Sequence, residues 1–298
     1  MAPTLTARST LPLVVITGPT ASGKTGLAVK LAERWNGEII CADSRTVYKD
    51  MNIGTAKPTV AEQARVRHWL LDVVSPGERF TVADFQRRAL AAIDDIRRRG
   101  KIPFLVGGTG LYIDAVVLGF TFGPDVDAAQ RRELEKMTVD QLQALIKKQH
   151  IAMPENALNK RHLIRCIEKN NSLTSRNTNP DAHTYVVAIR TERAVLEARI
   201  RQRASHMFAA HIVQETQHLV DKYGRQSEAM TGNIYPVVLD MLKGRLTPAE
   251  AEERFVVRDR QLVKRQLTWL RRHDWVRWLS LEEAEQYFDN LLAKYRDD

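Results

Sequence analysis

The chain has 298 residues, of which 44% are hydrophobic, with a formal net charge of +9 and two cysteines. This length suffices for one large domain, or for a domain with a small insert, around an ordinary apolar core. Two cysteines are too few for a disulfide scaffold, and no apolar run approaches the roughly 20 residues that cross a bilayer. We therefore expect a cytoplasmic protein without a membrane partner, and the positive charge favours a polyanionic partner.

Strands and helices alternate in the first third of the chain. The sequence predicts a buried strand at 13–17, a helix at 25–35 and a second strand at 38–42. The apolar stretch HWLLDVV, from His68, is a candidate third strand. A helix predicted at 81–99 then leads into the strand-like segment IPFLV. This alternation predicts an α/β fold with a parallel sheet flanked by helices.

The character of the chain changes after that region. Residues 124–161 are polar, have helical spacing and carry no strand signal. The strand-like segment TYVVAI begins at Thr184, and the remainder is mostly helical apart from a candidate strand at WVRWL. We expect a catalytic core with a helical C-terminal part, formed by 1–122 and 162–298, and a small helical insertion domain at 123–161.

The segment GPTASGKT lies between the first predicted strand and the first predicted helix. Its spacing, GxxxxGK[ST], is typical of a P-loop, whose backbone N–H groups surround a phosphate chain at a helix N-terminus. Lys24 would add a charge at the terminal phosphates, and the Thr25 hydroxyl would bind Mg²⁺. The predicted phosphate-binding residues are Gly18, Pro19, Thr20, Ala21, Ser22, Gly23, Lys24 and Thr25.

A phosphate loop alone does not determine the reaction. In a kinase or nucleotide hydrolase, the terminal phosphoryl group is the group transferred. The same loop could instead hold a diphosphate that leaves when a carbon–oxygen bond breaks, because the same charges and dipoles stabilise the departing anion. Residues outside the loop must separate these two chemistries.

A second polar segment, DSRTVY, begins at Asp43 directly after the second predicted strand. Open α/β sheets bind their ligands beyond the carboxyl ends of the strands, so a carboxylate here is placed to act on an acceptor. Asp43 could equally cap the N-terminus of a short helix. Position alone leaves both roles open.

Four segments, in order, resemble one family, the tRNA dimethylallyltransferases, also called tRNA isopentenyltransferases. They are GPTASGKT, ADS followed by VYKDMNIGTAKP, VGGTGLY at 106–112, and KRQLTWLRR at 264–272. The resemblance implies a P-loop NTPase-like sheet and transfer of a dimethylallyl group from dimethylallyl diphosphate. The acceptor would be the exocyclic N6 amine of the adenosine 3′ to the tRNA anticodon, and diphosphate would be released with the help of Mg²⁺.

The resemblance also implies three catalytic residues. Asp43 would be the base that accepts a proton from the amine, which is a weak nucleophile because its lone pair is delocalised. Thr109 would hydrogen-bond the bridging oxygen, unless it is an ordinary turn residue. Arg203 would bind the diphosphate from a helix that also carries Arg199 and Arg201, unless these arginines form a solvated helix face.

Contacts with the tRNA anticodon stem-loop are expected from the insertion domain and from several polar segments. Each basic segment could alternatively be a solvated helix face. Two positions and one block depart from the usual family pattern. Thr46 stands in place of glutamine, His162 in place of arginine, and residues 233–236 in place of an Ile-Gly-Tyr-basic block expected to contact RNA. The candidate tRNA-binding residues are Asp43, Ser44, Arg45, Thr46, Arg161, Arg165, Lys264 and Arg265.

Two other classes of function stay open on the sequence. An isopentenyltransferase acting on free adenine nucleotides would share the loop but would have little use for the insertion or for KRQLTWLRR. A small-molecule kinase, or a nucleic-acid-binding protein that senses a nucleotide, would use the loop differently. A kinase would need a Mg²⁺-binding aspartate at a strand end, where Asp72 is a poor candidate because apolar residues follow it. We expect a monomer.

Overall fold

The computed structural model describes residues 11–122, 128–169, 175–225 and 227–295. The chain forms two compact units, one made of Met1–Leu118 with Asn179–Asp298 and the other of Gly119–Thr178. Within the described residues, no helix has the length and apolar character needed to cross a membrane.

The first unit contains a sheet of six strands, and every neighbouring pair in it is parallel. The order across the sheet is β3-β2-β4-β1-β5-β6. The strands are β1 Leu13–Thr17, β2 Gly37–Ala42, β3 His68–Trp69, β4 Ile102–Gly107, β5 Thr184–Ile189 and β6 Arg277–Leu279. This confirms the predicted α/β class with a parallel sheet.

Nine α-helices of the first unit accompany the sheet among the described residues. They are α1 Lys24–Arg34, α2 Val60–Arg65, α3 Val82–Arg98, α4 Gly110–Val117, α8 Arg193–Ala209, α9 Ile212–Tyr223, α10 Tyr235–Leu242, α11 Pro248–Leu270 and α12 Leu281–Leu292. The helix predicted at 25–35 is therefore α1, and the helix predicted at 81–99 is α3. The long α11 begins at a capping box in which Thr247 and Glu250 satisfy each other's backbone N–H groups.

The central strands β1, β2 and β4 are buried along their whole length and are mostly apolar, because both faces of the sheet are covered. Val14 and Ile16 of β1 pack with Leu31 of α1 and Phe288 of α12 in one cluster. Successive side chains of a strand alternate between faces, so the equally buried Val15 points to the other face. The three buried central strands thus support the loops that follow them.

The third strand is shorter than the stretch HWLLDVV predicts. Strand geometry ends after Trp69, because Leu70 and Asp72 have φ values of 64° and 54°, in the left-handed region. The Asp72 carboxylate accepts a hydrogen bond of 2.6 Å from Lys57, whose ammonium is buried. A buried lysine needs such a partner, which explains the turn at this point.

The second unit contains helices α5 Ala128–Lys136, α6 Val139–Lys148 and α7 Lys160–Lys169. It extends to Thr178, whereas we expected an insertion that ends at 161. The difference arises because α7 belongs to this unit: Leu163, Ile164 and Ile167 pack against Leu142 and Ile146 of α6. The apolar residues of α7 therefore belong to the hydrophobic core of the second unit.

Candidate active site

The carboxyl ends of three neighbouring strands lie level at one edge of the sheet. Thr17 of β1 and Ala42 of β2 both pair with Gly107 of β4, which runs between them. The loop after β1 contains the GPTASGKT segment, the turn after β2 begins with Asp43, and the loop after β4 contains Thr109. All three line one cavity of about 640 Å³. The topology thus brings together the three segments selected from the sequence.

The loop Gly18–Thr25 leads into α1, whose positive N-terminal end adjoins the cavity. Pro19 has no N–H group, and the N–H groups of Thr20 and Ser22 bond to Gln266 Oε1 at 2.8 Å and to the Pro19 carbonyl at 3.3 Å. Fewer N–H groups of the loop are therefore free to surround a phosphate than the sequence predicted. The residues at the start of α1, from Gly23 to Thr25, are the part of the loop best placed to donate to an anion.

Lys24 is the cation at the centre of the site. Its ammonium donates a hydrogen bond of 3.1 Å to the Pro19 carbonyl. Burial lowers the pKa of Lys24 to about 8; the negative charge of Asp43 opposes this shift, and the positive charge of Arg203 adds to it. The three charges therefore lie within electrostatic range of one another, and a bound anion would restore the charge of the lysine.

Asp43 does not cap a helix. The residues after it, 44–47, form turns, and Asp43 Oδ1 accepts a hydrogen bond of 2.8 Å from the backbone N–H of Arg45. This bond holds the half-buried carboxylate at the cavity wall. Of the two roles that the sequence allowed, the structure therefore excludes the helix N-cap.

Thr109 is joined to the turn after β2. Its hydroxyl accepts a hydrogen bond of 2.9 Å from the N–H of Ser44, and its own N–H donates to the Ala42 carbonyl at 3.2 Å. Thr109 also precedes α4, but its side chain makes no capping bond to that helix. The hydroxyl is thus fixed beside the residue that follows Asp43 rather than used for local capping.

Two of the three arginines in RIRQR reach the phosphate loop from α8. Arg203 donates to the Thr20 hydroxyl, and Arg199 donates to the Ala21 carbonyl at 3.3 Å. Arg201 instead pairs with Glu253 on an exposed surface. The geometry therefore agrees with the choice of Arg203 and adds Arg199 as a second loop contact.

Helix α11 supplies groups whose contacts the sequence did not reveal, although two of them lie in the segment KRQLTWLRR. Asp259 is 1% exposed, lies 3.8 Å from Arg203 and accepts a hydrogen bond of 2.9 Å from Asn233. Gln266 contacts the phosphate loop, and Trp269 lies against Gly110, where a Cβ atom would be 2.1 Å from the indole ring. The sequence did indicate that these residues share a face, because Asp259, Gln266 and Trp269 recur at helical spacing from the buried Phe255.

The comparisons with known proteins agree with this geometry. The family model described as IPP transferase matches residues 46–273. The chain belongs to the IPP transferase family. It is 36% identical over 91% of both chains to a tRNA dimethylallyltransferase of Pelotomaculum thermopropionicum. It is 38% identical over 94% of both chains to a tRNA dimethylallyltransferase of Streptococcus thermophilus.

Solved structures of IPP transferases share the fold. The full-length tRNA isopentenylpyrophosphate transferase from Bacillus halodurans is 36% identical, with a TM-score of 0.72, over 95% of this chain and 97% of its own. A eukaryotic dimethylallyltransferase acting on tRNA is 25% identical, with a TM-score of 0.78, over 91% of this chain and 74% of its own. The predicted P-loop NTPase-like fold is confirmed, and so is the family suggested by the four motifs.

The candidate tRNA-binding residues of this IPP transferase divide between different surfaces. Ser44, Arg45, Thr46 and Arg265 line the cavity together with Asp43. Lys264 lies on another face of α11, along a separate groove of about 1090 Å³. The structure therefore separates the two neighbouring cations, which the sequence treated as one patch.

The other two candidates, Arg161 and Arg165, lie on α7 in the second unit. Arg161 is exposed, and its guanidinium has no ion-pair partner among the described residues. Arg165 lies 3.4 Å from Glu168, which also binds Arg131 at 2.7 Å. Of the pair, Arg161 is therefore the better placed to meet an external phosphate.

The positions that depart from the family pattern lie in different surroundings. Thr46 is buried and lines the cavity, and its hydroxyl has no hydrogen-bond partner in the part of the chain that the structure describes. His162 is exposed on α7. In the 233–236 block, Asn233 binds Asp259, and Tyr235 donates a hydrogen bond of 2.9 Å to Glu215. This block therefore supports the cavity wall from within the protein.

The residues present suit a divalent cation that is held mainly by a bound diphosphate. The Thr25 hydroxyl lines the cavity on the first turn of α1. The described residues contain no group of three or more histidine, cysteine, aspartate or glutamate side chains that could enclose a metal. Mg²⁺ commonly has few protein ligands and completes its shell with phosphate oxygens and water. The donor set thus fits such an ion.

Proposed function

We propose that the chain transfers the dimethylallyl group of dimethylallyl diphosphate to the exocyclic N6 amine of the adenosine 3′ to the tRNA anticodon, releasing diphosphate. The observation that carries the proposal is the convergence of Asp43, Thr109 and Arg203 on the phosphate loop in a member of the IPP transferase family. Curated relatives named tRNA dimethylallyltransferase support the proposal.

The loop Gly18–Thr25 would bind the diphosphate of the donor. Lys24 and Arg203 supply positive charge, and the N-terminus of α1 supplies oriented N–H groups. Thr25 would hold Mg²⁺, which supplies Lewis-acid stabilisation of phosphate oxygens when it is bound. Arg203 already contacts the loop through Thr20, so binding requires only a local change of partners.

The chemical step forms one bond and breaks one. The lone pair of N6 forms a bond to the first carbon of the dimethylallyl group, and the electrons of the carbon–oxygen bond leave with the diphosphate. Asp43 takes the proton that N6 loses, and the Thr109 hydroxyl donates a hydrogen bond to the bridging oxygen as negative charge develops there. Asp43 acts at the nitrogen of the forming bond and Thr109 at the oxygen of the breaking bond, which matches their placement on neighbouring loops.

The acceptor adenosine must leave the base stack to reach these groups, at a cost of a few kcal/mol. Ser44, Arg45, Thr46 and Arg265 would contact it or its neighbours inside the cavity. We propose that the second unit, with Arg161, and the exposed Lys264 contact the phosphates of the anticodon stem-loop. The proposal includes a monomeric enzyme in the cytoplasm, where its tRNA substrate is found.

The experiment that tests the proposal offers two acceptors side by side. Purified protein is incubated with Mg²⁺ and carbon-labelled dimethylallyl diphosphate, with either unmodified tRNA or AMP and ATP. We expect label in tRNA alone. Label in the free nucleotides alone would assign the chain to the nucleotide-specific isopentenyltransferases, and label in neither would reject prenyl transfer to adenine. A kinase reading has little support, since Asp72 is bound to Lys57.

A further inference from the structure

One side chain of α11 joins the two loops that carry the catalytic groups. Gln266 Oε1 accepts a hydrogen bond of 2.8 Å from the N–H of Thr20 in the phosphate loop. Gln266 Nε2 donates a hydrogen bond of 3.1 Å to the carbonyl of Gly108, which precedes Thr109. A primary amide is suited to this place because it offers one acceptor and one donor on adjacent atoms.

The approach of α11 to the second loop is unusually close. A Cβ atom at Gly108 would lie 2.5 Å from Gln266 Nε2, and one at Gly110 would lie 2.1 Å from the ring of Trp269. Trp269 is itself held by a hydrogen bond of 3.0 Å to Asp114 of α4. The helix therefore has a fixed position over this loop, and Gln266 extends from it to the phosphate loop.

Both ends of the bridge touch residues that the reaction would use. Thr20 accepts a hydrogen bond from Arg203, so its position affects where that guanidinium lies. Gly108 is adjacent to Thr109, whose hydroxyl is bound to Ser44 beside Asp43. Beyond the pairing of β1 with β4, Gln266 therefore provides a direct side-chain link between the loop contacted by Arg203 and the loop that carries Thr109.

We propose that Gln266 is a positioning residue, whose amide fixes the phosphate loop and the Gly107–Gly110 loop in the register that the transfer step needs. The inference rests on the proposed function. Reacting groups tolerate little misplacement, whereas an anion can be held by Lys24 and the loop amides in several registers. Loss of the bridge should therefore slow the chemical step more than it weakens binding of the donor.

The test replaces Gln266 with methionine, which has a similar shape and neither hydrogen-bonding atom. We expect Gln266→Met to lower kcat roughly 10- to 100-fold and to change the KM for dimethylallyl diphosphate by no more than about twofold. Gln261→Met is the matched control, because Gln261 is exposed on the same helix and does not line the active-site cavity. It should have the kcat of the unaltered protein.

A second variant covers the case in which methionine disturbs folding. Gln266→Glu keeps the size of the side chain and can still accept from Thr20, but the ionised carboxylate cannot donate to the Gly108 carbonyl. It should also lower kcat, and hydrogen exchange at Thr109, whose N–H bonds to the Ala42 carbonyl, should become faster in both variants.

A double-mutant cycle separates positioning from general loss of stability. If Gln266 acts partly through Thr109, Gln266→Met should lower kcat by a several-fold smaller factor in a Thr109→Val background than in the otherwise unaltered protein. Fully multiplicative effects, a raised KM with unchanged kcat, or Gln266 variants as active as the Gln261→Met control would each overturn the proposal. These results require active unaltered protein, so an unaltered chain that modifies no tRNA would instead reject the proposed function.

Discussion

The Nη1 atom of Arg203 lies 3.8 Å from Oδ2 of Asp259, a carboxylate that is almost completely buried on α11. Asn233 binds the other carboxylate oxygen, and neither Oδ2 nor Arg203 Nε has a hydrogen-bond partner among the described residues. The arginine that faces the phosphate loop is thus balanced by a buried negative charge. A diphosphate would compete with Asp259 for the same guanidinium. Arg203 therefore contributes both to the stability of the fold and to binding of the donor.

Replacing Arg203 should therefore affect folding as well as catalysis. Arg203→Ala leaves the Asp259 carboxylate buried without a counterion, and we expect a loss of about 3 kcal/mol in the free energy of unfolding. Urea denaturation measures it. Adding Asp259→Asn should recover part of the loss, because the neutral amide can still bind Asn233. Arg201→Ala is the control and should change stability by less than about 1 kcal/mol, since its pair with Glu253 is exposed. A double variant no more stable than Arg203→Ala would contradict this account.

Replacing Asp43 should separate catalysis from binding. Asp43→Asn keeps the acceptor atom for the Arg45 N–H but removes the base, so kcat should fall roughly 10²- to 10⁴-fold. The affinity for inorganic pyrophosphate, measured by calorimetry, should be unchanged or higher because a negative charge has gone. Asp274→Asn, at an exposed position, should leave both quantities unchanged. Retained turnover in Asp43→Asn would show that another group accepts the proton.

The lowered pKa of Lys24 predicts proton uptake on binding. At a pKa of about 8, the ammonium has lost about half of its proton at pH 8, and an adjacent diphosphate should restore it. Calorimetry of pyrophosphate binding at pH 8, in buffers of different ionisation enthalpy, should therefore show uptake of up to about half a proton more in the unaltered protein than in Lys24→Met. Equal uptake in the two proteins would mean that Lys24 does not contact the diphosphate.

The same pKa has a consequence for stability. The unfolded chain keeps Lys24 charged up to its ordinary pKa of 10.5, whereas the folded chain releases the proton near pH 8. Between these values the unfolded state binds more protons, so this residue makes the folded protein more stable as the pH rises. Lys24→Met should remove that contribution in urea denaturation between pH 8 and 10.5. An unchanged pH dependence would contradict the assignment.

The positive residues that face tRNA should be visible in the salt dependence of binding. Arg265 is exposed and lines the cavity, so Arg265→Ala should weaken tRNA binding and reduce the slope of log K against log salt by about 0.7 to 0.9. Arg254→Ala is the control, because that arginine is exposed on the same helix, outside the cavity lining, and pairs with Asp240. Equal slopes for Arg265→Ala and the control would show that Arg265 makes no phosphate contact.

The sequence predicted those parts of the fold that repeat a simple pattern. Apolar runs predicted the buried strands. The spacing GxxxxGK[ST], which is typical of a P-loop, predicted the loop Gly18–Thr25. The strand from His68 was predicted too long because an apolar run does not show the positive φ angles of Leu70 and Asp72, or the ion pair that Asp72 makes with the buried Lys57. The compact second unit ends at Thr178 rather than at the expected 161 because α7 packs in it, and a helix sequence shows its apolar face but not its packing partner.

The site was predictable where a residue acts near a motif, and less so where it acts through another residue. Asp43 follows a strand and Thr109 follows another, so topology alone brings them to one edge. Gln266 and Asp259 resemble ordinary polar residues of a basic helix, and their roles depend on how α11 crosses the loops. Sequence spacing gives the face of a helix on which a residue lies, but not the atoms that the residue meets.

The central claim is that the phosphate loop holds a leaving group rather than a group to be transferred. The most direct measurement uses dimethylallyl diphosphate labelled in both carbon and phosphorus, incubated with unmodified tRNA and the purified protein. The account predicts one labelled diphosphate released for each carbon-labelled dimethylallyl group that enters the tRNA, and no phosphorus label in the tRNA. Phosphorus label in the tRNA, or diphosphate release without carbon transfer, would contradict it.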